Sequence, residues 1–290
     1  MAGRPLWLVL APVMFLCLWS GGYVVAKIGI LYAPPLTLLV VRFALCVAIM
    51  GIVFAILRPP LPERAADWGH LALVGVLIQT VYFGLSYMAF HADVASGTVA
   101  LIMSLQPILV AITAPGWTGE RIGWQRWIGF AMGLVGTAVV IAVRLEIAAP
   151  PLIGFVYAAL GLAGMTAAAL WEKRFGLTHH PVTSNLIGYA AGLIGILPFA
   201  LVMETPDIDW TPTFIGALGY LVIGNSLIAV TLLLAMIRAG EVARVSALLF
   251  LVPPLAAVFG WLTLGEVMPP AAWAGMAVAG AGVWIATRAR

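Results

Sequence analysis

Long apolar runs follow one another along this chain, separated only by short charged or proline-containing breaks, and this succession constrains its fold more than any other feature. A helical crossing of a bilayer core needs about 20 apolar residues. Runs of that length lie at roughly 5–30, 35–57, 68–90, 95–117, 123–144, 150–175, 182–203, 212–237, 242–264 and 270–288. Ten crossings of about 22 residues use roughly 220 of the 290 residues, so every loop is short and no room remains for a water-soluble domain. The charged fraction of 9% agrees, being far below the roughly 25% of soluble proteins. The expected class is therefore an all-α integral membrane protein. The net charge of +3 is spread too thinly to track a phosphate backbone, so no nucleic-acid partner is expected. Cys17 and Cys46 both fall inside apolar runs and read as buried free thiols rather than a disulfide; no metal-ligand spacing occurs.

Lysine and arginine set the direction, because short loops that carry them resist translocation. Arg4, Arg58, Arg64, Arg121, Arg126, Lys173, Arg174, Arg238, Arg244, Arg288 and Arg290 fall on one side, eleven of the fourteen basic residues. Lys27 and Arg144 fall on the other, and Arg42 lies inside a span. Both termini are thus expected in the cytoplasm, with the first run a retained span rather than a cleaved signal.

Shifting the chain against itself by 146 residues, without a gap, brings its halves into register. Lys27 meets Lys173, Pro35 meets Pro181, Pro107 meets Pro253, Gly119-Glu120 meets Gly265-Glu266, Trp127 meets Trp273, Gly129 meets Gly275 and Gly136 meets Gly282. Residues 1–146 and 147–290 then read as two five-helix units. Five is odd, so the second unit must be inverted relative to the first. Such inverted repeats place solute sites near the midplane between the halves and support alternating access; a scaffold or channel is the alternative.

The first unit carries Trp19-Ser20-Gly21-Gly22, Lys27, Pro35 and Arg42-Phe43. Each unit then has a proline-containing helix, a Gly-Glu pair and a glycine-rich last span, with Pro107, Gly119-Glu120, Gly129, Gly133 and Gly136 repeated as Pro253, Gly265-Glu266, Gly275, Gly280 and Gly282. In these features the chain resembles the EamA family of the drug/metabolite transporter superfamily, and its aromatic surroundings resemble the YddG-type exporters of aromatic amino acids. The resemblance implies ten helices in two inverted repeats, the cell (inner) membrane, and export as the physiological direction. The second copy departs from the pattern, with Met165, Thr166 and Gly188 where the first has Trp19, Ser20 and Arg42.

Polar groups at mid-membrane are costly unless they face a cavity or a partner. Gln79 lies about 12 residues, or about 18 Å, into the third span, and its repeat mate is Asn225. The two amides could flank one site; helix–helix hydrogen bonding would also satisfy them. Gln79, Tyr82, Phe83 and Ser86 fall at i, i+3, i+4 and i+7, one helical face of amide, hydroxyl and rings. Trp19 sits mid-span beside small residues, as a cavity wall or a packing group. Gln106, Ser246, Phe250 and Trp171 complete the substrate-binding candidates. Pro107, Pro253 and Pro254 release backbone carbonyls and are candidate hinges or packing kinks. Arg42 and Lys27 read as snorkelling or helix-end groups, with carboxylate recognition as the sharper alternative. Glu120 and Glu266 read as charges at the starts of their own helices. Trp68, Trp117, Trp124, Trp210, Trp261, Trp273 and Trp284 lie near span ends and read as interface anchors.

The resulting expectation is a secondary carrier exporting small metabolites, amino acids including aromatic ones foremost, in the lipid bilayer, as a monomer and without a cofactor. No carboxylate falls near the midplane, so uniport-like transport without a titrating group is expected. Other amphipathic metabolites or drugs are the alternative cargo. A membrane-embedded enzyme is disfavoured, since no metalloprotease motif or mid-span aspartate pair occurs, and a channel is the remaining rival.

Overall fold

The fold is seen in a computed structural model, which describes residues 6–113, 123–148, 150–175, 179–232, 236 and 251–288. Every regular element among them is a helix. In chain order these are α1 (Leu6–Gly29), α2 (Pro35–Leu57), α3 (Ala65–His91), α4 (Ser96–Met103), α5 (Gln106–Thr113), α6 (Trp124–Ala148), α7 (Leu152–Phe175), α8 (Pro181–Met203), α9 (Pro212–Leu232), α10 (Val252–Leu264) and α11 (Pro270–Arg288). Six of them, α1, α2, α3, α7, α8 and α9, are long and apolar enough to cross a membrane. Shorter apolar stretches lie at Ser96–Val110, Trp127–Val143, Val252–Leu264 and Pro270–Ile285. Large apolar side chains face outward along the spans, among them Val202, Ile56, Ile194, Leu152 and Ile52. Such a surface is unstable against water and suited to lipid. Trp68, Trp124, Trp210, Trp261, Trp273 and Trp284 are all on that surface; Trp117 lies outside the described residues.

The helix starts are specified locally. Pro35, Pro181 and Pro212 each occupy the first turn, where a missing N–H costs nothing. The freed donors of α2 are met from the other half: Glu204, just past α8, accepts from Leu36 N at 2.9 Å, Thr37 N at 2.7 Å and Thr37 Oγ1 at 2.8 Å. Thr211 caps α9 through Phe214 N. The fourth expected span breaks at Ser104–Leu105, and Pro107 is the second residue of α5. Pro253 and Pro254 open α10; Phe250 and the carbonyls they would release lie outside the described residues, as does Ser246.

Two stretches depart from α geometry. Val76–Phe83 within α3 and Tyr220–Ala229 within α9 are π-helical. Shifted by 146 residues, the first becomes 222–229 and falls inside the second.

α6 and α11 pack backbone against backbone. A Cβ on Gly136 would strike Gly275 O and Ala279 N, and one on Gly282 would strike Gly129 O and Gly133 N. The Gly136–Gly275 contact and the Gly282–Gly129 contact are exchanged by the 146-residue shift.

Contacts sort the loops into two ends. At one, Thr183 Oγ1 donates to Pro60 O at 3.1 Å and His179 lies 3.7 Å from Asp67. At the other, Asp209 N donates to Tyr32 O, Gly154 sits against Ala92 and Val94, and Glu266 reaches Ser96. The Pro60 end carries Arg58, Arg64 and Arg174. At the Glu204 end Lys27 Nζ donates to Glu266 Oε1 at 2.9 Å and Val94 O at 3.2 Å. Glu266 also accepts from Ser96 N and, at 2.7 Å, Ser96 Oγ. Two expectations are corrected here. Glu266 caps α4, not a helix of its own, because residues 265–269 are non-helical. Lys27 is paired with a carboxylate instead of snorkelling. Cys46 is buried as expected, whereas Cys17 is exposed; both are free.

Candidate functional site

A small cavity of about 20 Å³ lies where α1, α2, α3 and α9 meet. Trp19, Gly22, Tyr23 and Ala26 of α1, Arg42 of α2, Tyr82, Phe83, Ser86, Tyr87 and Phe90 of α3, and Asn225 of α9 form its wall. Helices of both halves of the chain contribute. The volume holds about one water, so this centre has no room for a solute as it stands.

Arg42 dominates its electrostatics. Its side chain is 1% exposed, which overturns the snorkelling expectation. Nη1 donates to Tyr87 Oη at 2.8 Å, Nη2 to Asn225 Oδ1 at 2.9 Å, and Nε and Nη2 to Ser226 Oγ at 3.1 and 2.9 Å. The guanidinium carbon stands 4.7 Å from the centre of the Phe83 ring, a cation–π distance. All of these partners are neutral.

The local sequence explains why the helices approach closely enough for this. Asn225 leans on Gly22 and donates from Nδ2 to Leu18 O at 3.2 Å. The Tyr220 hydroxyl sits over Gly21 and donates to Leu18 O at 3.1 Å. A side chain at either glycine would collide with these groups, so the Gly21-Gly22 pair admits α9 to the surface of α1. Tyr23 and Tyr82 share a hydroxyl contact of 3.3 Å, and Ser86 Oγ and Ser20 Oγ are buried without a protein partner.

A second, larger hollow of about 170 Å³ opens between α3, α7 and α8 on the side of the Pro60 end. His70, Trp171, Glu172, Phe175, Ser184 and Asn185 line it, and it reaches Gln79. The His70 and Phe175 rings stack at 4.6 Å and 10°, with Trp171 4.6 Å from Phe175. Trp171 Nε1 and Gln79 Oε1 are buried with no partner in the protein, one donor and one acceptor left for a guest or for water.

The sequence-derived candidates therefore divide. Trp19, Tyr82, Phe83, Ser86 and Asn225 come together in the central cavity, while Gln79 and Trp171 meet in the hollow beside it. Gln106 starts α5 and lines neither; Ser246 and Phe250 lie outside the described residues. Gln79 parts from Tyr82, Phe83 and Ser86 because the π stretch has a wider turn than the α spacing on which their common face was drawn. Gln79 packs on Gly192 instead. Its mate Asn225 lines the central cavity, accepting from Arg42 and donating to Leu18 O, so the two amides do not flank one site. Gly188, the repeat mate of Arg42, borders the hollow; the position that leaves room in one half is filled by a guanidinium in the other. Sequence reasoning missed Tyr87 and Ser226, and of its two readings of Arg42 burial removes the snorkelling one. A charge seven residues inside a span was the available signal.

Comparison with known proteins places the chain among transporters. The model of the EamA-like transporter family matches residues 5–142 and again 152–288. An uncharacterized inner membrane transporter of Escherichia coli, YedA, is 26% identical over 267 residues, covering 90% of this chain and 84% of that protein. A probable terminal-alkyne amino-acid exporter of Streptantibioticus cattleyicolor is 26% identical, covering 97% of this chain and 93% of its own. A solved crystal structure matches with a TM-score of 0.64 at 18% identity, over 97% of this chain and 96% of that one, which shows a shared fold.

Proposed function

The chain belongs to the EamA-like transporter family, a multi-pass family of transporters and not of enzymes, and from that premise we infer a carrier that exports amino acids and similar metabolites, aromatic ones included, by alternating access. The observation that carries this reading is a narrow centre lined by helices of both halves of the chain, with a roomier hollow beside it on the side of the Pro60 end. A channel would need a continuous path; a carrier needs a site exposed to one side at a time. The Lys27–Glu266–Ser96 contacts tie α1, α4 and the loop after α10 together at the Glu204 end. The hollow beside Gln79 faces the end that bears Arg58, Arg64 and Arg174, which the positive-inside rule assigns to the cytoplasm.

Two inverted five-helix units, 1–146 and 147–290, with both termini cytoplasmic, supply the moving parts in this reading. The double match of the family model, the matched π stretches and the exchanged glycine contacts between α6 and α11 support it. Solute enters past the His70, Trp171 and Phe175 rings, meets Gln79, and passes to the centre bounded by Trp19, Tyr82, Phe83, Ser86 and Asn225. The break before Pro107 and the Pro253-Pro254 pair that opens α10 serve as hinges. Transport runs down the solute's own gradient, since no carboxylate lines the centre among the described residues. The relative named as an amino-acid exporter supports the cargo class.

Counterflow in liposomes containing only the purified protein tests this. Saturable exchange acceleration by one or more amino acids is expected, reduced by Gln79→Ala and Trp19→Ala. Poorly saturable flux without exchange acceleration would show a channel, and flux that collapses when only the proton gradient is removed would refute the uncoupled mechanism.

A further inference from the structure

We propose that Arg42 is the anion receptor of the central cavity, so that the carrier selects its cargo by a carboxylate and does not require an ammonium. This rests on the carrier reading and names what the site recognises. A guanidinium withdrawn from both water and headgroups is retained in a membrane only with a partner or a task. Here four of its five N–H donors are held by Tyr87, Asn225 and Ser226, all neutral, and no carboxylate contacts it among the described residues. The positive charge is therefore satisfied in geometry and left uncompensated in sign.

A solute carboxylate supplies what is missing. Arginine offers a planar fork that matches a carboxylate with two parallel hydrogen bonds, and hydroxyl acceptors such as Tyr87 and Ser226 can turn to donate once an anion arrives. Ser86 Oγ, 3% exposed and without a partner, lies in the same wall and provides one more donor. The rings of Phe83 and Trp19 leave the body of the solute an apolar bed. Nothing in the wall carries a negative charge to meet an ammonium. Neutral acceptors hold Arg42 while the site is empty, and the anion takes their place as the cavity widens.

The test measures binding apart from transport. Detergent-purified full-length protein is followed by thermal unfolding with three pairs of probes, each an amino acid and its amide, built on phenylalanine, leucine and serine, and with phenylpyruvate as the acid that lacks an ammonium. The expected result is stabilisation by at least one amino acid, with its amide at least about tenfold weaker, the loss of one charge-assisted bond. Phenylpyruvate is expected to fall within about threefold of phenylalanine. In Arg42→Gln the acid-to-amide ratio should drop to about two or less, with Arg42→Lys intermediate. Equal stabilisation by acid and amide in every pair, or an acid preference that survives Arg42→Gln, overturns the proposal. So does weakening of phenylpyruvate to the level of the amide, which would show that the ammonium is read. If Arg42→Gln does not fold, the comparison of probes on the native protein decides by itself. Absence of amino-acid counterflow in liposomes would overturn the carrier reading and leave this binding result standing.

Discussion

Removing the charge of Glu266 should loosen the Glu204 end far more than removing that of Lys27, although the two form one ion pair. Glu266 is 9% exposed and its carboxylate accepts from Lys27 Nζ, Ser96 N and Ser96 Oγ. In Glu266→Gln one carbonyl oxygen can still accept from Ser96, but the amide NH₂ faces donors, and Lys27 keeps only Val94 O. Breaking a buried pair from one side costs about 3–5 kcal/mol; partial exposure of Lys27 places this one near the lower figure, about 3 kcal/mol. In Lys27→Met the carboxylate retains both Ser96 donors and the α4 cap, so about 1–2 kcal/mol is expected. If these contacts exist only in the state closed at the Glu204 end, their loss appears as a population shift, and about 3 kcal/mol corresponds to roughly a hundredfold as an upper bound. The assay is the labelling rate of Ala26→Cys, a residue of the central wall that is 2% exposed, by an impermeant maleimide in a background with Cys17 and Cys46 replaced by alanine. Labelling from the Glu204 side should accelerate in the order native, Lys27→Met, Glu266→Gln. An acceleration below about threefold in Glu266→Gln, or the reverse order, would refute the reasoning.

Other perturbations separate packing from recognition. Gly136→Val should part α6 from α11 and lower the melting temperature in detergent, at a cost of about 3 kcal/mol or more, whereas Gly280→Val, whose side chain meets open space, should change it little. Glu204→Ala removes three acceptor contacts at the start of α2 and should cost about 2 kcal/mol; Thr183→Ala, with one contact to Pro60, should cost about 1 kcal/mol or less in the same thermal assay. Trp171→Phe keeps the ring beside Phe175 but removes the unpartnered indole N–H, so counterflow affinity should fall about three- to tenfold with the melting temperature unchanged.

Much of the helix layout was legible in the residue order, for a physical reason. A bilayer requires each crossing to be apolar over its whole length, so α1, α2, α8 and the start of α9 lie within a few residues of the runs that announced them. Glycines 129, 136, 275 and 282 stood out through their common offset, and they are the positions where α6 and α11 touch. Trp19, Tyr82, Phe83, Ser86 and Asn225 were also legible, because polar or small groups deep in a span stand out against an apolar background. Gln79 was found as a candidate but assigned to the wrong neighbours, since α spacing fails across a π turn, and no residue type announces such a turn.

By itself the sequence determined what lipid demands of each segment: its length and an apolar character kept over the whole crossing. Tertiary structure alone decided which polar groups meet. Arg42 finds Asn225 across 183 positions, and Lys27 finds Glu266 across 239. Hydropathy records the solvent preference of a residue among its chain neighbours. The rotation and depth of one helix against another decide whether a guanidinium reaches a headgroup or an amide, and those are fixed by glycine contacts and π turns acting between helices far apart in the chain.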